Sequence, residues 1–422
     1  MAAPLRAREL ELDRIDIISP DHYAANGYPH AEWALLRERA PIYRFDRFDG
    51  QPFWAVTRHE DIIWISRQPQ RFLNAPRLAV FEGGEPPDRE EIGRHLLVMD
   101  PPQHGVFRRF VSNRFTPNGI ARLAGQVDAL AAGILDSVAT DGPVREIDFV
   151  EKVSSVLPIM AIADILGVPR EDWPKMFRWT NEAIGSSDPE YRRPGETPEE
   201  TGQRARVSMF EYFAKLAELR RKEPQDDLIS VLAHATVDGA PLRTVDLLIY
   251  YNLIVIAGNE TTRNATSGGL LAFIENPQQL EQLRRNPALL NRAVEEVVRW
   301  TSPVIQFCRT TTEDVERKGQ RIPKGESFCL FYPSANRDES VFADPWSFRI
   351  DRDPNPHLAF GIGEHFCLGA NLARLELRAI FRQLAERLDS VELAGPVQRL
   401  RSSFIGGIKH MPIRYSLRSS RA

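Results

Sequence analysis

Phe360-Gly361-Ile362-Gly363-Glu364-His365-Phe366-Cys367-Leu368-Gly369 decides how the rest of the chain is read. It holds one of only three cysteines, with glycines on both sides at 361, 363 and 369. Directly after it, Leu372, Leu375, Leu377, Ile380 and Leu384 recur at helical spacing, which predicts a helix from Ala370 to Leu388. Cys367 therefore stands where a glycine-rich loop becomes a helix. Free backbone N–H groups and the positive end of the helix dipole favour an anion there, so thiolate is expected over thiol. Glycine lets such a loop approach something flat and bulky and accepts positive φ. A lone cysteine is more commonly a small buried hydrophobe. A thiolate held in this setting is also suited to ligate haem iron axially.

The 422 residues are of mixed composition, 42% hydrophobic, with a formal net charge of −4. That balance gives no reason to expect nucleic acid as a partner. Three widely spaced cysteines argue against a disulfide framework and fit a reducing compartment. Residues 1–10 have no apolar core segment, and the longest apolar run, 247–258, is too short to cross a bilayer. The expectation is a soluble, cytoplasmic protein without a membrane anchor.

Residues 1–30 read as an extended lead-in. A helix is predicted over 30–39, then a hairpin from Ile42-Tyr-Arg-Phe through a turn at Asp49-Gly50 to Phe53-Trp-Ala-Val-Thr. From Glu60 onward helical patterns dominate, with helices at 126–138, 153–166, 247–274 and 279–300. The stretch 74–100, with Gly83-Gly84 and Pro86-Pro87, reads as a long loop. A second irregular stretch, 185–202, lies between two helical segments and is expected to act as a mobile lid. Short strands are predicted over 305–309 and 328–331.

Three further patterns bear on chemistry. Ala257-Gly258-Asn259-Glu260-Thr261-Thr262 sits in the middle of the most continuous helix. A Thr261 hydroxyl there reaches the Ala257 carbonyl one turn back. This is either a kinked structural helix or an acid–alcohol pair beside a groove. Glu296-Val-Val-Arg299 is an i,i+3 pair, the kind that on a surface contributes roughly a few tenths of a kcal/mol. His104 and Arg108 share a helix face, either solvated or paired with carboxylates. Arg309 shares strand parity with Ile305 and Phe307. Cys308 and Cys329 read as packing residues, and His410 has no evident partner.

Phe-x-x-Gly-x-His-x-Cys-x-Gly over 360–369 is similar to the cysteine-loop signature of the cytochrome P450 family, the haem-thiolate monooxygenases. The 257–262 stretch resembles that family's central-helix motif, with Glu260 where many members have Asp. Glu296-x-x-Arg299 resembles its Glu-x-x-Arg motif, with Arg352 in Phe348-Arg-Ile-Asp-Arg352 as the third member. Phe115-Thr-Pro117, Ser334-Ala-Asn-Arg-Asp338 and Asn355-Pro-His-Leu-Ala-Phe360 add to the match. The motifs run in the family's order.

The resemblance implies a mainly α (α+β) cytochrome P450 fold, a large helical domain with a small, mostly antiparallel β-sheet region. It implies one domain over 1–422, with strands mainly within 40–60, 303–335 and 390–418 and helices within 60–300 and 368–390. It implies haem b with Cys367 as the metal ligand, and His104, Arg108, Arg309 and His365 as partners of the propionates. Phe360, Gly361, Gly369 and Ala257 would be further haem contacts. Thr261 would hydrogen-bond the bound oxygen, Glu260 would relay protons, and Glu296, Arg299 and Arg352 would brace the cysteine loop.

Substrate contacts are placed by the resemblance at Leu78, Val80, Phe81, Leu97 and Val98, at Ile254 and Ala257, at Val304, Ile305 and Phe307, and at Phe404 and Ile405. These are apolar, which points to a hydrophobic substrate such as a sterol, branched lipid or terpenoid. The chain has no flavin or iron–sulfur motif, so a separate ferredoxin and its NAD(P)H-dependent reductase are implied, attracted by Arg108, Arg109, Arg114 and Arg374. The expected reaction inserts one oxygen atom from O2 into a C–H bond. A peroxide-driven peroxygenase and a non-catalytic haem sensor are the alternatives, and Glu260-Thr261 counts against both. A cysteine-nucleophile hydrolase would leave most motifs unexplained.

Overall fold

The computed structural model describes residues 11–46, 51–81, 95–186 and 188–420. The turn expected at Asp49-Gly50 and the Gly83-Gly84 and Pro86-Pro87 part of the long loop lie outside them.

A single 32-residue helix, Thr244–Glu275, runs through the centre. Its first half, Leu247 to Val255, is buried on every side, which only a helix enclosed by others can be. It packs against Val156–Leu166, against Leu290–Thr301 and against Ala370–Arg387, the helix that follows the cysteine. Two glycines make the close approaches possible. A Cβ at Gly258 would stand 2.8 Å from Ile162 Cγ1, and one at Gly269 would stand 2.5 Å from Phe381 Cζ.

Strands β1 (Ile42–Phe45), β2 (Phe53–Val56) and β3 (Phe72–Leu73) precede the helical body. Strand β4 (Arg145–Asp148) and the β5–β6 hairpin (Thr236–Val237, Ala240–Pro241) lie within it. Strand β7 (Gln306–Thr311), the β8–β9 hairpin (Val315–Arg317, Gln320–Ile322) and β10 (Ser327–Phe331) follow. After the last helix come β11 (Leu388–Leu393), β12 (Gln398–Arg399), β13 (Ile408–His410) and β14 (Pro412–Leu417). The main sheet has the order β1-β2-β10-β7-β3, with only β2 and β10 parallel, and a second sheet runs β11-β14-β4. Cys308 and Cys329 face each other across β7 and β10 and are fully buried, as packing residues should be.

The structure corrects several boundaries. The lead-in is not extended throughout: Pro20–Asn26 is helical, with its proline at the first position, where a missing N–H costs nothing. The segment expected as one helix over 279–300 is two, Pro277–Arg285 and Leu290–Thr301, broken at Asn286-Pro287 because proline disfavours helical backbone before it. The helix expected from 153 starts at Val156, after a wider turn over 150–154. The irregular stretch expected over 185–202 ends at Thr197. There Thr197 and Glu200 cap one another and start the helix Pro198–Lys222.

The segment ahead of the cysteine loop is held by a buried charge cluster. Arg299 Nε and Nη2 each donate to Glu296 at 2.7 Å, and Arg352 Nε donates to the same carboxylate at 3.1 and 3.3 Å. The Arg349 backbone N–H and the Asn355 amide complete its shell. The remaining guanidinium donors bond the carbonyls of Asn336, Pro345, Ala343, Asp344 and Ser347. Glu296 and Arg299 are 0% exposed, so this i,i+3 pair is nothing like a surface bridge. Removing one partner of such a cluster leaves an uncompensated buried charge. Glu296→Gln is expected to lower the unfolding free energy in guanidinium by about 3–5 kcal/mol. Arg285→Ala, at the exposed Arg285–Glu281 pair, should change it by less than about 0.5 kcal/mol.

Candidate active site

The cysteine loop folds back on itself through the Cys367 N–H, which donates to the Phe360 carbonyl at 2.9 Å, and the Phe366 N–H, which donates to Gly363 at 3.0 Å. Gly361 and Gly363 have φ of 68° and 79°. A Cβ at Gly363 would also stand 2.5 Å from the Ser66 carbonyl oxygen. Both positions therefore need glycine. Gly369 needs none for its backbone, at φ −84°. A Cβ there meets nothing within 4 Å, and the residue borders a cavity, so its missing side chain leaves room in that cavity.

The cavity has Cys367 on its wall and holds about 1880 Å³ of empty space, the solvent at its mouth included. Phe360, Gly361, His365 and Gly369 border it from the loop, Ala257, Glu260 and Thr261 from the central helix, His104 and Arg108 from the helix Gln103–Ser112, and Arg309 from β7.

The last four residues test whether a haem belongs there. The His104 and His365 rings stack at 3.9 Å between centroids, and the Nε2 atom of each is buried without a hydrogen-bond partner. His104 Nδ1 lies 3.4 Å from Glu364 Oε1. Arg108 and Arg309 each spend one donor on a backbone carbonyl, of Phe366 and Cys308. Burial, then His104, Arg309 and Arg108, push the His365 pKa down to about 2. Donors gathered in a buried place with so little anionic compensation are costly unless anions join them. The two propionates of haem are such anions, and the residues present fit the group. Among the described residues no group of three or more His, Cys, Asp or Glu side chains is placed to hold a metal ion.

The Gly369 N–H at the loop-to-helix junction favours thiolate, against the effect of burial. Burial raises the Cys367 thiol above its ordinary pKa and outweighs the Gly369 N–H and the charges of Arg108 and Arg374. A coordinated metal ion is what deprotonates a thiol in such a place.

On the central helix, Thr261 Oγ1 donates to the Ala257 carbonyl at 3.0 Å. Glu260 is 2% exposed and faces Arg263, whose Nη2 donates to it at 2.5 Å. Arg263 Nη1 donates in turn to Asn181, and the Asn259 amide donates to Thr180. Burial raises the Glu260 pKa while Arg263 opposes the rise.

The pocket residues divide. Leu97, Ile254, Val304, Phe307, Phe404 and Ile405 border the cavity. Phe81 packs edge-on against Phe404 behind the wall, and Leu78 lies along β7, where its carbonyl accepts from Cys308. Val98 is half-buried outside the wall. Val80 and Ile305 are core residues, 1% and 0% exposed, packed with Cys308 and Cys329. The parity expected for Ile305 fails because β7 begins only at Gln306, after the left-handed Ser302 at φ 39°. Val304 takes the wall position instead.

Sequence reasoning missed three residues. Tyr250 borders the cavity and donates to the Phe107 carbonyl. Arg263 is fully buried against Glu260. Glu376 borders the cavity, is 1% exposed, and its Oε2 has no partner. The signal for Glu376 was an acid lying in the apolar stripe between Leu375 and Leu377.

The family model described as Cytochrome P450 matches residues 47–394. The methyl-branched lipid omega-hydroxylase of Mycobacterium tuberculosis is 38% identical over 416 residues, covering 97% of this chain and 95% of that protein. The steroid C26-monooxygenase of Mycolicibacterium smegmatis is 38% identical over 398 residues, covering 92% of this chain and 91% of that protein. Among solved structures, a Mycobacterium marinum cytochrome P450 in complex with pseudoionone superposes with a TM-score of 0.88 at 35% identity, over 96% of this chain and 99% of that one.

Burial without a partner holds the Glu376 carboxyl well above its ordinary pKa of 4.5. The folded chain therefore keeps a proton that the unfolded chain releases above that pH, and wild-type stability falls as pH rises. Relative to Glu376→Gln, the unfolding free energy should fall as pH rises above 4.5, by at most about 1.4 kcal/mol per pH unit. Parallel pH curves for the two proteins in urea titrations would show the carboxyl to be ionised.

Proposed function

The chain belongs to the cytochrome P450 family and is a haem-thiolate monooxygenase, and from that premise we propose that Cys367 is its axial ligand and that it oxidises a branched, apolar carbon chain near its end. The observation that carries the site assignment is the pair of unpartnered histidine Nε2 atoms beside Arg108 and Arg309, over a cavity whose wall includes Cys367.

Haem, when bound, supplies the oxygen-activating iron. This chain's residues do the rest. His104, Arg108, Arg309 and His365 would hold the two propionates by charge-assisted hydrogen bonds. Glu260 takes up and gives back a proton inside the cavity, and the Thr261 hydroxyl, already fixed on Ala257, presents a hydrogen bond toward the same space. Glu296, Arg299 and Arg352 keep the loop from shifting. Water is excluded by Leu97, Leu253, Ile254, Val304, Phe307 and Phe404.

Once the propionate partners, the cysteine, Glu260 and Glu376 are set aside, the wall carries no charge among the described residues. That supports an apolar substrate. The relatives named for a lipid ω-position and for steroid C26 support attack at the end of a branched chain. Electrons are proposed to come from a separate ferredoxin and its NAD(P)H-dependent reductase. Arg374 is spent on Glu295 and Arg114 on Asp226. Arg109, exposed on the helix Gln103–Ser112, is the better candidate contact.

Methyl-branched fatty acids and sterols, added to the purified ferric protein, should shift the haem Soret band, and product analysis should place the new hydroxyl at the chain terminus. A panel in which only polar or aromatic acids shift the band would overturn the substrate proposal. Cys367→His should abolish the carbon monoxide band of thiolate ligation, and a variant that kept it would refute the ligand assignment. Arg109→Glu should slow ferredoxin-driven reduction and weaken its salt dependence. An unchanged rate would exclude Arg109 from the docking face.

A further inference from the structure

His410, on β13, is bonded at both ring nitrogens to carboxylates from different segments. Nδ1 pairs with Asp148 Oδ2 at the end of β4, and Nε2 lies 2.7 Å from Glu190 Oε1 in the 185–197 connection. Its neighbour Lys409 bonds Asp188 at 2.9 and 3.1 Å and Glu190 at 3.1 Å. Two residues of one short strand thus fasten the connection between the helices Trp173–Ile184 and Pro198–Lys222 to the C-terminal hairpins.

The anchor side is rigid. Asp148 accepts backbone N–H groups of Val150 and Met411. The turn before β13 is wedged in place: a Cβ at Gly406 would overlap Tyr28 Oη at 2.2 Å, and one at Gly407 would overlap Asn264 Oδ1 at 2.1 Å. Phe404 and Ile405, just ahead of that turn, border the cavity. On the other side, Arg193 holds Glu182 through two bonds, so charged pairs fasten the connection at each end.

We propose that His410 and Lys409 form a pH-responsive latch that holds the 185–197 connection against the hairpin bordering the cavity. The geometry requires the imidazolium. A neutral ring donates from one nitrogen only, and the other then turns a lone pair toward a carboxylate. The charge count points the same way. Asp148, Asp188 and Glu190 face Lys409 alone when His410 is neutral, and gain a second cation when it is protonated.

Other charged groups on elements packed against β13 do not alter this count. Glu151 and Lys152, from the turn beneath, pair with each other at 2.6 Å. β12 sets the uncharged Gln398 opposite His410 and Arg399 opposite Ile408. The central helix presents Asn264 to Gly407, and its Arg263 is taken by Glu260. The two carboxylates raise the His410 pKa above 6.5 against the opposing effect of burial. A raised value means that the latch is complete below about pH 6.5 and is released as pH climbs through the folded-state value.

Amide hydrogen exchange of residues 188–193 in the haem-loaded protein tests this, corrected for the intrinsic pH dependence of exchange. Protection should fall about tenfold or more between pH 6 and 8.5, the scale of one pKa unit. In His410→Gln, which cannot ionise, protection should be low and flat with pH. The association rate of a methyl-branched fatty acid, followed at the Soret band, should rise with pH in the wild type and be uniformly fast in the variant. Glu190→Gln, at a half-exposed position, gives the same reading if His410→Gln does not fold. Flat protection in the wild type, or a variant that keeps the wild-type pH dependence, overturns the proposal.

Discussion

Glu296 accepts hydrogen bonds from Arg299, Arg352, Asn355 and the Arg349 backbone in a volume closed to water. Desolvating three charges is expensive, and hydrophobic residues of equal volume could hold the same space at lower cost. The cluster's use is directional. Its outer donors reach five separate carbonyls between Asn336 and Ser347, so it orders an irregular segment that has no sheet or helix to satisfy its backbone. That segment leads straight into the cysteine loop.

The active site shows the complementary strategy. His104, His365 and Glu376 leave buried polar atoms without partners, and burial lifts the Cys367 thiol. Each feature costs folding free energy in the chain alone. A bound group that supplies anions to the histidines and a cation to the sulfur recovers much of that cost on binding, so affinity for the cofactor and stability of the fold are coupled. The brace is complete within the chain, while the cavity is complete only with its prosthetic group.

The parts legible in the sequence were those fixed by local spacing. The cysteine loop, the 257–262 stretch, Glu296-x-x-Arg299 and the 104–108 pair are each read within a few residues, and the cytochrome P450 fold joins them. The wall of the cavity was legible only in part. Val80 and Ile305 look as apolar as Leu97 and Val304, and which of them turns inward depends on a left-handed residue at Ser302 that no periodicity reveals. Helix ends failed where a cap outweighed composition, at Pro20 and Thr197. Long-range partners were beyond reach altogether: His410 finds Asp148 and Glu190 more than two hundred residues away, and charge alone does not say which acid a histidine will meet.

Gly363 lies beneath the carbonyl of Ser66, with no room for a methyl group. The cysteine loop is therefore keyed into the end of the helix His59–Ser66, much as a tenon sits in a mortise. Three residues separate that key from the sulfur and two more separate the sulfur from the next helix. An insertion or deletion in either interval would leave both ends seated and displace only Cys367. Loop length is thus constrained by the seats at its two ends, independently of most side chains the loop carries.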